Sequence, residues 1–287
     1  MKRLLPLLAC LPALAAPVSV IDDQGSRVTL PAPAQRVISL APHVTELAFA
    51  AGGGASLIAV DENSDYPAAA KALPKAGSFR AIDLERIVAA KPDLLLVWLH
   101  GPSARQLEPL RQLGIPLFYS QPKRFADIPS NLRRIGQLLG SSAQAEQAAR
   151  RFEQDLAALR RQQQGKPKLS VFYQVWDKPL YTLNGQHIVS DAIALCGGNN
   201  VFASLPVTAP VVTDEAVIAA NPQVILSAAM RQNDDLLRRW QRMPGIAAVQ
   251  NRQLHQVNGD LLNRPTPRMI EGTRQLCAKL DLARRHP

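Results

Sequence analysis

The residues that could carry acid–base or metal chemistry are scattered and form no known motif. The histidines are His43, His100, His187, His255 and His286. None lies beside an acidic or histidine-rich loop, whereas a zinc site needs several converging ligands. His43 follows Ser39 by four positions, but no acid partner is placed to complete a Ser–His hydrolase, and no GxSxG, Walker A or HExxH sequence occurs. We therefore predict no catalytic residues, no metal site and no cofactor.

Aromatic and polar side chains collect instead where predicted strands end. Aromatic residues make up only 5% of the chain, yet many of them fall in these loops. With the polar residues of the same loops, the set is Asn63, Tyr66, Phe79, Trp98, Trp176, Tyr181, Asp260 and Arg264. Each of these residues taken alone is more often part of a core than a ligand contact. Together, facing one cleft, they would grip a large flat ligand between rings and a few polar groups.

Two glutamates occupy matching places in the chain. Glu85 and Glu215 each fall in the first turn of a predicted short helix. A carboxylate there compensates the helix dipole. An equivalent glutamate in each half also suits docking to a two-fold partner that bears arginines. The residues alone leave both interpretations open.

One long helix near the middle of the chain must position these loops. Residues 141–164 contain no Gly or Pro, and six apolar residues recur at steps of three and four: Ala145, Ala148, Ala149, Phe152, Leu156 and Leu159. Ser141 and Gln144 have the spacing of a capping box, and Gly165 with Pro167 ends the segment. The predicted helix is roughly 35 Å long.

Strands and helices alternate on both sides of this helix, and the two halves repeat. The sequence LERIVAAKP at 84–92 is echoed by DEAVIAANP at 214–222. The predicted fold is α/β: two similar lobes with mainly parallel sheets, joined by one long rigid helix, with a ligand cleft between the lobes. We divide the chain into a signal peptide (1–16), a hairpin extension (17–34), an N-terminal lobe (35–140), the linking helix (141–165) and a C-terminal lobe (166–287).

The first residues have the pattern of an export signal. A basic start is followed by an apolar run too short to span a bilayer and by small residues at a cleavage site. We expect cleavage after Ala15 or Ala16 and a periplasmic product. The residues before Cys10 loosely resemble a lipoprotein box, but the apolar run there is short.

Removal of the signal leaves two cysteines, Cys196 and Cys277. In an oxidising compartment they are expected to form one disulfide, the alternative being two buried thiols. The formal charge of +10 is spread along predicted helices and is not interleaved with aromatic residues. Nucleic acid is therefore not an expected partner.

Several segments resemble one known family. They are RVISLAP (36–42), TELAFAAG (45–52), SDYP (64–67), LERIVA (84–89), KPDL (91–94), LCGG (195–198) and PR (267–268). With the two repeated halves and the single long helix, the chain is similar to periplasmic substrate-binding proteins of the single-helix-linker class, which serve ABC importers of cobalamin, ferric siderophores and haem. The match runs from about Arg36 to the last helix.

The resemblance implies a role for each matching residue. Trp98, Asp260 and Arg264 match corrinoid-contacting positions of the cobalamin binders, and Cys196 and Cys277 match their disulfide. Glu85 and Glu215 match the lobe-tip glutamates that dock on permease arginines. The ligand-binding set that we predict is Asn63, Tyr66, Phe79, Trp98, Trp176, Asp260 and Arg264.

The chain departs from the cobalamin binders at three cleft positions. Asn63 stands where they have a tyrosine, and Phe79 and Ala209 stand where they have tryptophans; Trp176 offers some replacement. The hairpin extension resembles the opening of siderophore-binding members. We expect a monomeric, non-enzymatic receptor that captures cobalamin or a related corrinoid with little lobe closure and delivers it to an ABC permease. The alternatives are a ferric-siderophore or haem receptor and an exported α/β enzyme.

Overall fold

A computed structural model describes residues 16–78, 81–98, 103–229 and 236–285. The predicted signal sequence up to Ala15, with Cys10, lies outside these residues, and so does the predicted ligand contact Phe79. Within the described part of the chain, no helix is long and apolar enough to cross a membrane.

The N-terminal half is built on a parallel sheet. Its strands are β1 (Val18–Ile21), β2 (Arg27–Leu30), β3 (Val37–Ser39), β4 (Leu57–Val60), β5 (Gly77–Ser78), β6 (Ala81–Ile82), β7 (Leu94–Trp98) and β8 (Leu117–Ser120). Its helices are α1 (Pro42–Ala50), α2 (Ala68–Lys71), α3 (Leu84–Ala89), α4 (Ser103–Gln106), α5 (Glu108–Gln112) and α6 (Asp127–Leu138). The sheet order is β4-β3-β7-β8, and all neighbours are parallel. Strands β1–β2 and β5–β6 form separate antiparallel hairpins.

The C-terminal half repeats this arrangement after the long helix α7 (Ser142–Gln163). Its strands are β9 (Leu169–Gln174), β10 (Gly198–Asn200), β11 (Val224–Ala229) and β12 (Leu254–Asn258). Its helices are α8 (Ile188–Leu195), α9 (Asp214–Ala220), α10 (Ala247–Gln250), α11 (Gly259–Leu262) and α12 (Met269–Arg285). The order is β10-β9-β11-β12, again parallel. The predicted α/β class with two sheets on either side of one helix is confirmed.

Helix α7 buries the predicted apolar stripe and packs against both halves. Ala145, Ala149, Phe152, Leu156 and Leu159 are buried. The helix contacts α6 of the N-terminal half and α12 of the C-terminal half. One continuous apolar core runs from the N-terminal sheet through these residues into the C-terminal sheet. Because a close-packed core resists shear, α7 joins the two sheets firmly.

The predicted capping box at the start of α7 is wrong. The Ser141 side chain makes no cap hydrogen bond, and its buried hydroxyl has no partner within the described residues. The chain enters α7 through a tight turn, with Gly140 at φ +71° and the Ser141 amide donating to Gly136 O at 2.8 Å. After this turn Ser141 has φ −113° and ψ 34°, outside the extended backbone conformation that an N-cap residue usually adopts.

The N-terminal extension forms the expected hairpin, β1–β2, and packs on the first lobe. Its turn residue Asp23 forms an ion pair with Arg134 of α6 at 2.6 Å. The same carboxylate accepts hydrogen bonds from the Asn131 side chain at 3.0 Å and from the Gln121 amide just beyond β8. Cys196, after α8, and Cys277, in α12, form the expected disulfide across 81 residues of sequence.

Candidate functional site

The carboxyl ends of the two sheets meet at a cluster of charged side chains, which we call the ion cluster. Its members are Glu46, Asp65, Asp260, Arg264 and Arg268. Glu46 lies in α1, after β3, and Asp65 lies in the loop after β4. Asp260 lies in α11, directly after β12, and the two arginines follow that helix. Loops beyond the carboxyl ends of parallel strands are the usual ligand-binding region of α/β folds, so the ion cluster marks the candidate site.

Glu46 is the centre of the ion cluster. Its side chain is only 3% exposed, in a helix whose other residues are mostly apolar. Arg268 donates to both of its carboxylate oxygens, at 2.9 and 2.6 Å, and Arg264 donates to one of them at 3.1 Å. A buried carboxylate needs such partners because desolvation is costly. Glu46 thereby binds the N-terminal half to two arginines more than 200 residues away in the chain.

Arg264 is surrounded by carboxylates. Besides Glu46, it contacts Asp65 at 2.5 Å and Asp260 at 2.9 Å, and its side chain is 13% exposed. Partial burial opposes the charged form of Asp65, but the hydrogen bond and the charge of Arg264 outweigh burial and lower the pKa of Asp65. Burial likewise opposes the charge on Arg264, yet its carboxylate partners raise its pKa. Three carboxylates thus face two guanidinium groups, and the ion cluster carries one net negative charge.

Tyr66 extends the ion cluster with an exposed ring. The guanidinium carbon of Arg268 lies 3.8 Å from the centre of the Tyr66 ring, a cation–π contact. Tyr66 itself is 45% exposed. Buried hydroxyl groups hold the loop that carries Tyr66. The Thr45 hydroxyl forms hydrogen bonds with the hydroxyl groups of Ser39, at 2.5 Å, and Ser64, at 2.7 Å. The ring is therefore fixed on one side and open on the other.

Trp98 lies beside His43 next to the same region. The two rings are 5.7 Å apart in an edge-to-face arrangement. The His43 ring nitrogen Nε2 lies 3.4 Å from the Ser120 carbonyl oxygen. Burial lowers the pKa of His43 to about 4, and the positive charge of Arg264 contributes in the same direction. His43 is therefore a neutral ring that supports Trp98.

Trp176 supplies the exposed ring of the C-terminal half. It follows β9, is 49% exposed, and its indole N–H donates to the Lys178 carbonyl at 3.1 Å. An isolated antiparallel β-bridge pairs Trp176 with Tyr181, and another pairs Tyr181 with the exposed Val211. No described contact joins Trp176 to the ion cluster. Trp176 therefore forms a separate apolar surface where β9 of the C-terminal sheet ends.

Glu85 and Glu215 lie at equivalent helix starts. Asp83 accepts a hydrogen bond from the Arg86 amide at the start of α3, and Thr213 accepts one from the Ala216 amide at the start of α9. Hydrogen bonds from its own amide and from Thr213 lower the pKa of Glu215. Neither glutamate forms an ion pair within the described residues.

The structure brings together four of the predicted ligand residues: Tyr66, Trp98, Asp260 and Arg264. Asn63 lies exposed in the same loop as Tyr66, and its backbone N–H donates to the Asp61 carboxylate at 2.8 Å.

Sequence reasoning missed the roles of Glu46, Asp65, Arg268 and His43. A lone carboxylate in a mostly apolar helix was the available signal for Glu46, because a buried carboxylate requires a cationic partner. The described residues contain no group of three or more His, Cys, Asp or Glu side chains arranged to hold a metal ion.

Known proteins with this architecture share both sequence and fold with the chain. A family model described as periplasmic binding protein matches residues 37–260. The vitamin B12-binding protein of Vibrio cholerae is 40% identical over 261 residues, which cover 91% of this chain and 94% of that protein. The crystal structure of the periplasmic vitamin B12 binding protein BtuF of Vibrio cholerae superimposes with a TM-score of 0.81 at 40% identity, covering 88% of this chain and 98% of that one.

A haem-binding protein also has this fold. The periplasmic heme-binding protein RhuT from Roseiflexus sp. superimposes with a TM-score of 0.76 at 25% identity, covering 87% of this chain and 98% of that one. The resemblance inferred from short segments is thus confirmed over most of the sequence. With two parallel sheets, one joining helix and a charged site where their strands end, the chain belongs to the periplasmic binding protein family.

Proposed function

We propose that this protein is a periplasmic receptor that binds cobalamin or a related corrinoid between its lobes and delivers it to an ABC permease. The observation that carries the choice of ligand is the neutralisation of both arginines in the ion cluster. The names of the Vibrio relatives point to the same ligand. Binding and release change no covalent bond, so the protein needs no catalytic residue and is not an enzyme.

The charge of the ion cluster argues for an uncharged ligand periphery. Haem carries two propionate carboxylates, which need free cationic partners. Arg264 and Arg268 are already bonded to Glu46, Asp65 and Asp260, and the net charge there is negative. The corrin ring of cobalamin carries amides, whose N–H groups can donate to carboxylates. Asp65 and Asp260 are 51% and 33% exposed, so they keep oxygen atoms accessible for such bonds.

The aromatic residues supply the apolar contact. Tyr66, Trp98 and Trp176 would pack against the ring system, and Asn63 would donate or accept a hydrogen bond at its edge. Phe79 is assigned to the same set from its loop position in the sequence and from the resemblance. Ala209, where the cobalamin binders have a tryptophan, leaves less ring surface, and the exposed Trp176 and Val211 partly replace it.

Delivery would proceed by docking through Glu85 and Glu215, one on each lobe. The continuous core through α7 supports little lobe closure on binding. The receptor would act as a monomer before docking. Its signal peptide would be removed after Ala15 or Ala16. The lobes would comprise residues 35–140 and 166–287, joined by the helix at 141–165.

Equilibrium dialysis against cyanocobalamin, haem and a ferric hydroxamate siderophore tests the ligand. We expect retention of cyanocobalamin at micromolar concentration or below. Binding of haem or of the siderophore alone would replace the proposed ligand, and turnover of any of the three would indicate an enzyme. The variant Arg264→Ala should weaken cyanocobalamin binding, and Arg151→Ala, which changes an exposed basic residue on α7 outside the ion cluster, serves as the matched control.

Reversing the charge at Glu85 and Glu215 tests delivery. The double variant Glu85→Lys/Glu215→Lys should lose transport into vesicles that contain the permease, with cyanocobalamin affinity unchanged. Loss of ligand binding in this variant would contradict the docking role. Mass spectrometry of the exported protein checks the cleavage site.

A further inference from the structure

Helices α3 and α9 expose the same three-residue face. The face consists of Glu85, Val88 and Ala89 on α3 and of Glu215, Ile218 and Ala219 on α9. Arg86 of α3 is exposed as well, but its counterpart on α9, Ala216, is partly buried. Val88 is 42% exposed and Ile218 is 45% exposed. The residue just before each, Ile87 or Val217, is fully buried. The two helices therefore turn the same side to solvent.

The helices also end alike, which fixes the orientation of these faces. Lys91 and Asn221 both have left-handed backbone, at φ +46° and φ +41°. Each is followed by a proline, Pro92 or Pro222, which cannot continue a helix. The match between the two tips thus extends from the first turn of each helix to its end.

Positions i, i+3 and i+4 of a helix lie on one face. Each tip therefore presents a carboxylate next to a β-branched aliphatic side chain and a methyl group. Isolated exposed aliphatic residues are ordinary, and others occur here, such as Leu113 and Val207. Val88 and Ile218 differ from those because they occupy equivalent positions, each three residues after an equivalent glutamate.

The charge of the tips defines the partner. Within the described residues neither Glu85 nor Glu215 has an ion-pair partner, so each carboxylate is available to a guanidinium group. An arginine that binds it would bring its methylene stem, and the surface around it, over the aliphatic side chain. A solvated polar surface alone would leave Val88 and Ile218 uncovered.

We propose that Val88–Ala89 and Ile218–Ala219 form the apolar half of the docking surface. The permease would then present an arginine beside a shallow apolar patch at two places related by its two-fold axis. This inference rests on the proposed function, since it specifies the surface that docks. The apolar contacts would hold the complex under ionic conditions that weaken the carboxylate–arginine pairs.

Surface plasmon resonance with the reconstituted permease tests the surface, using Val88→Ser, Ile218→Ser and the double variant. Burial of the exposed half of each side chain predicts about tenfold weaker docking for each single variant and about 100-fold for the double variant. Because apolar contacts are not screened by salt, the same fold-loss is expected at high ionic strength. The cyanocobalamin affinity of all three should equal that of the wild type.

Leu113→Ser is the matched control, because Leu113 is 62% exposed and lies outside both tips. Val88→Thr and Ile218→Thr keep the branched shape and provide a second pair should a serine variant unfold. Docking unchanged in the serine and threonine variants, together with weakened docking of Glu85→Gln and Glu215→Gln, would overturn only the apolar surface. Unchanged docking in the glutamine variants as well would overturn the proposed docking site itself.

Discussion

Replacing Glu46 by Gln should destabilise the junction between the lobes. The Glu46 carboxylate accepts three hydrogen bonds from Arg264 and Arg268. Glutamine keeps one acceptor oxygen, and its amide nitrogen would face a guanidinium donor. The variant therefore loses the charge and at least one hydrogen bond while leaving the volume of the side chain nearly unchanged, so that packing effects stay small.

The magnitude follows from burial and from the partners that remain. Removing one member of a buried ion pair costs about 3–5 kcal/mol, because the other charge is left uncompensated. Arg264 keeps Asp65 and Asp260, and Arg268 keeps the Tyr66 ring and is 23% exposed. Both arginines are thus partly compensated, and we expect a loss at the lower end, about 3 kcal/mol.

Urea unfolding followed by circular dichroism measures this loss in free energy of unfolding. Glu85→Gln, an equal change on an exposed glutamate outside the ion cluster, should alter the free energy of unfolding by less than about 0.5 kcal/mol. A loss below about 1 kcal/mol for Glu46→Gln would refute the view that Glu46 is a buried, structurally required carboxylate. Such a value is typical of surface ion pairs.

Three further outcomes are expected. Burial lowers the pKa of His43 to about 4. As the pH falls, His43 is therefore protonated in the unfolded state before it is protonated in the folded state, and the free energy of unfolding should decrease by about 3 kcal/mol between pH 7 and pH 4. The fall should be smaller in His43→Gln, as urea unfolding at each pH will show. Trp176→Ala should weaken cyanocobalamin binding by about 30-fold in equilibrium dialysis, since half of a large ring loses its contact; wild-type affinity would place Trp176 outside the site. Cys196→Ser/Cys277→Ser should lose about 4 kcal/mol of stability by the chain-entropy model, given the 81-residue separation, with an unchanged unfolding midpoint contradicting the model.

Local sequence patterns predicted the regular elements well. The apolar stripe of α7 and the first turns of α3 and α9 were predicted correctly because period-3.6 patterns, with their turn residues, are written within a few neighbouring positions. The predicted capping box at Ser141 was wrong although Ser141 and Gln144 are suitable residue types. The tight turn at Gly140 precedes Ser141 and gives it a backbone conformation that the spacing of residue types does not encode.

The ion cluster shows where pattern reasoning stops. Asp260 and Arg264 were selected, but their partners Glu46 and Asp65 appeared only as parts of family segments. The contacts from Arg264 to Glu46 and Asp65 join residues 218 and 199 positions apart. Such pairs leave no periodic trace, since each charge is an ordinary residue in its own segment. Glu46 is distinguished only as the one carboxylate buried in a mostly apolar helix.

By itself, the sequence determined the α/β class, the repeat of two halves, the stripe of α7 and the matching positions of Glu85 and Glu215. All of these depend on residues near one another or on comparison of one half with the other. Tertiary structure alone decided that both arginines of the site are neutralised and that a single core runs through α7 from sheet to sheet. The physical reason is that charge compensation and close packing depend on distance in space, which the docking of the two lobes on one helix sets.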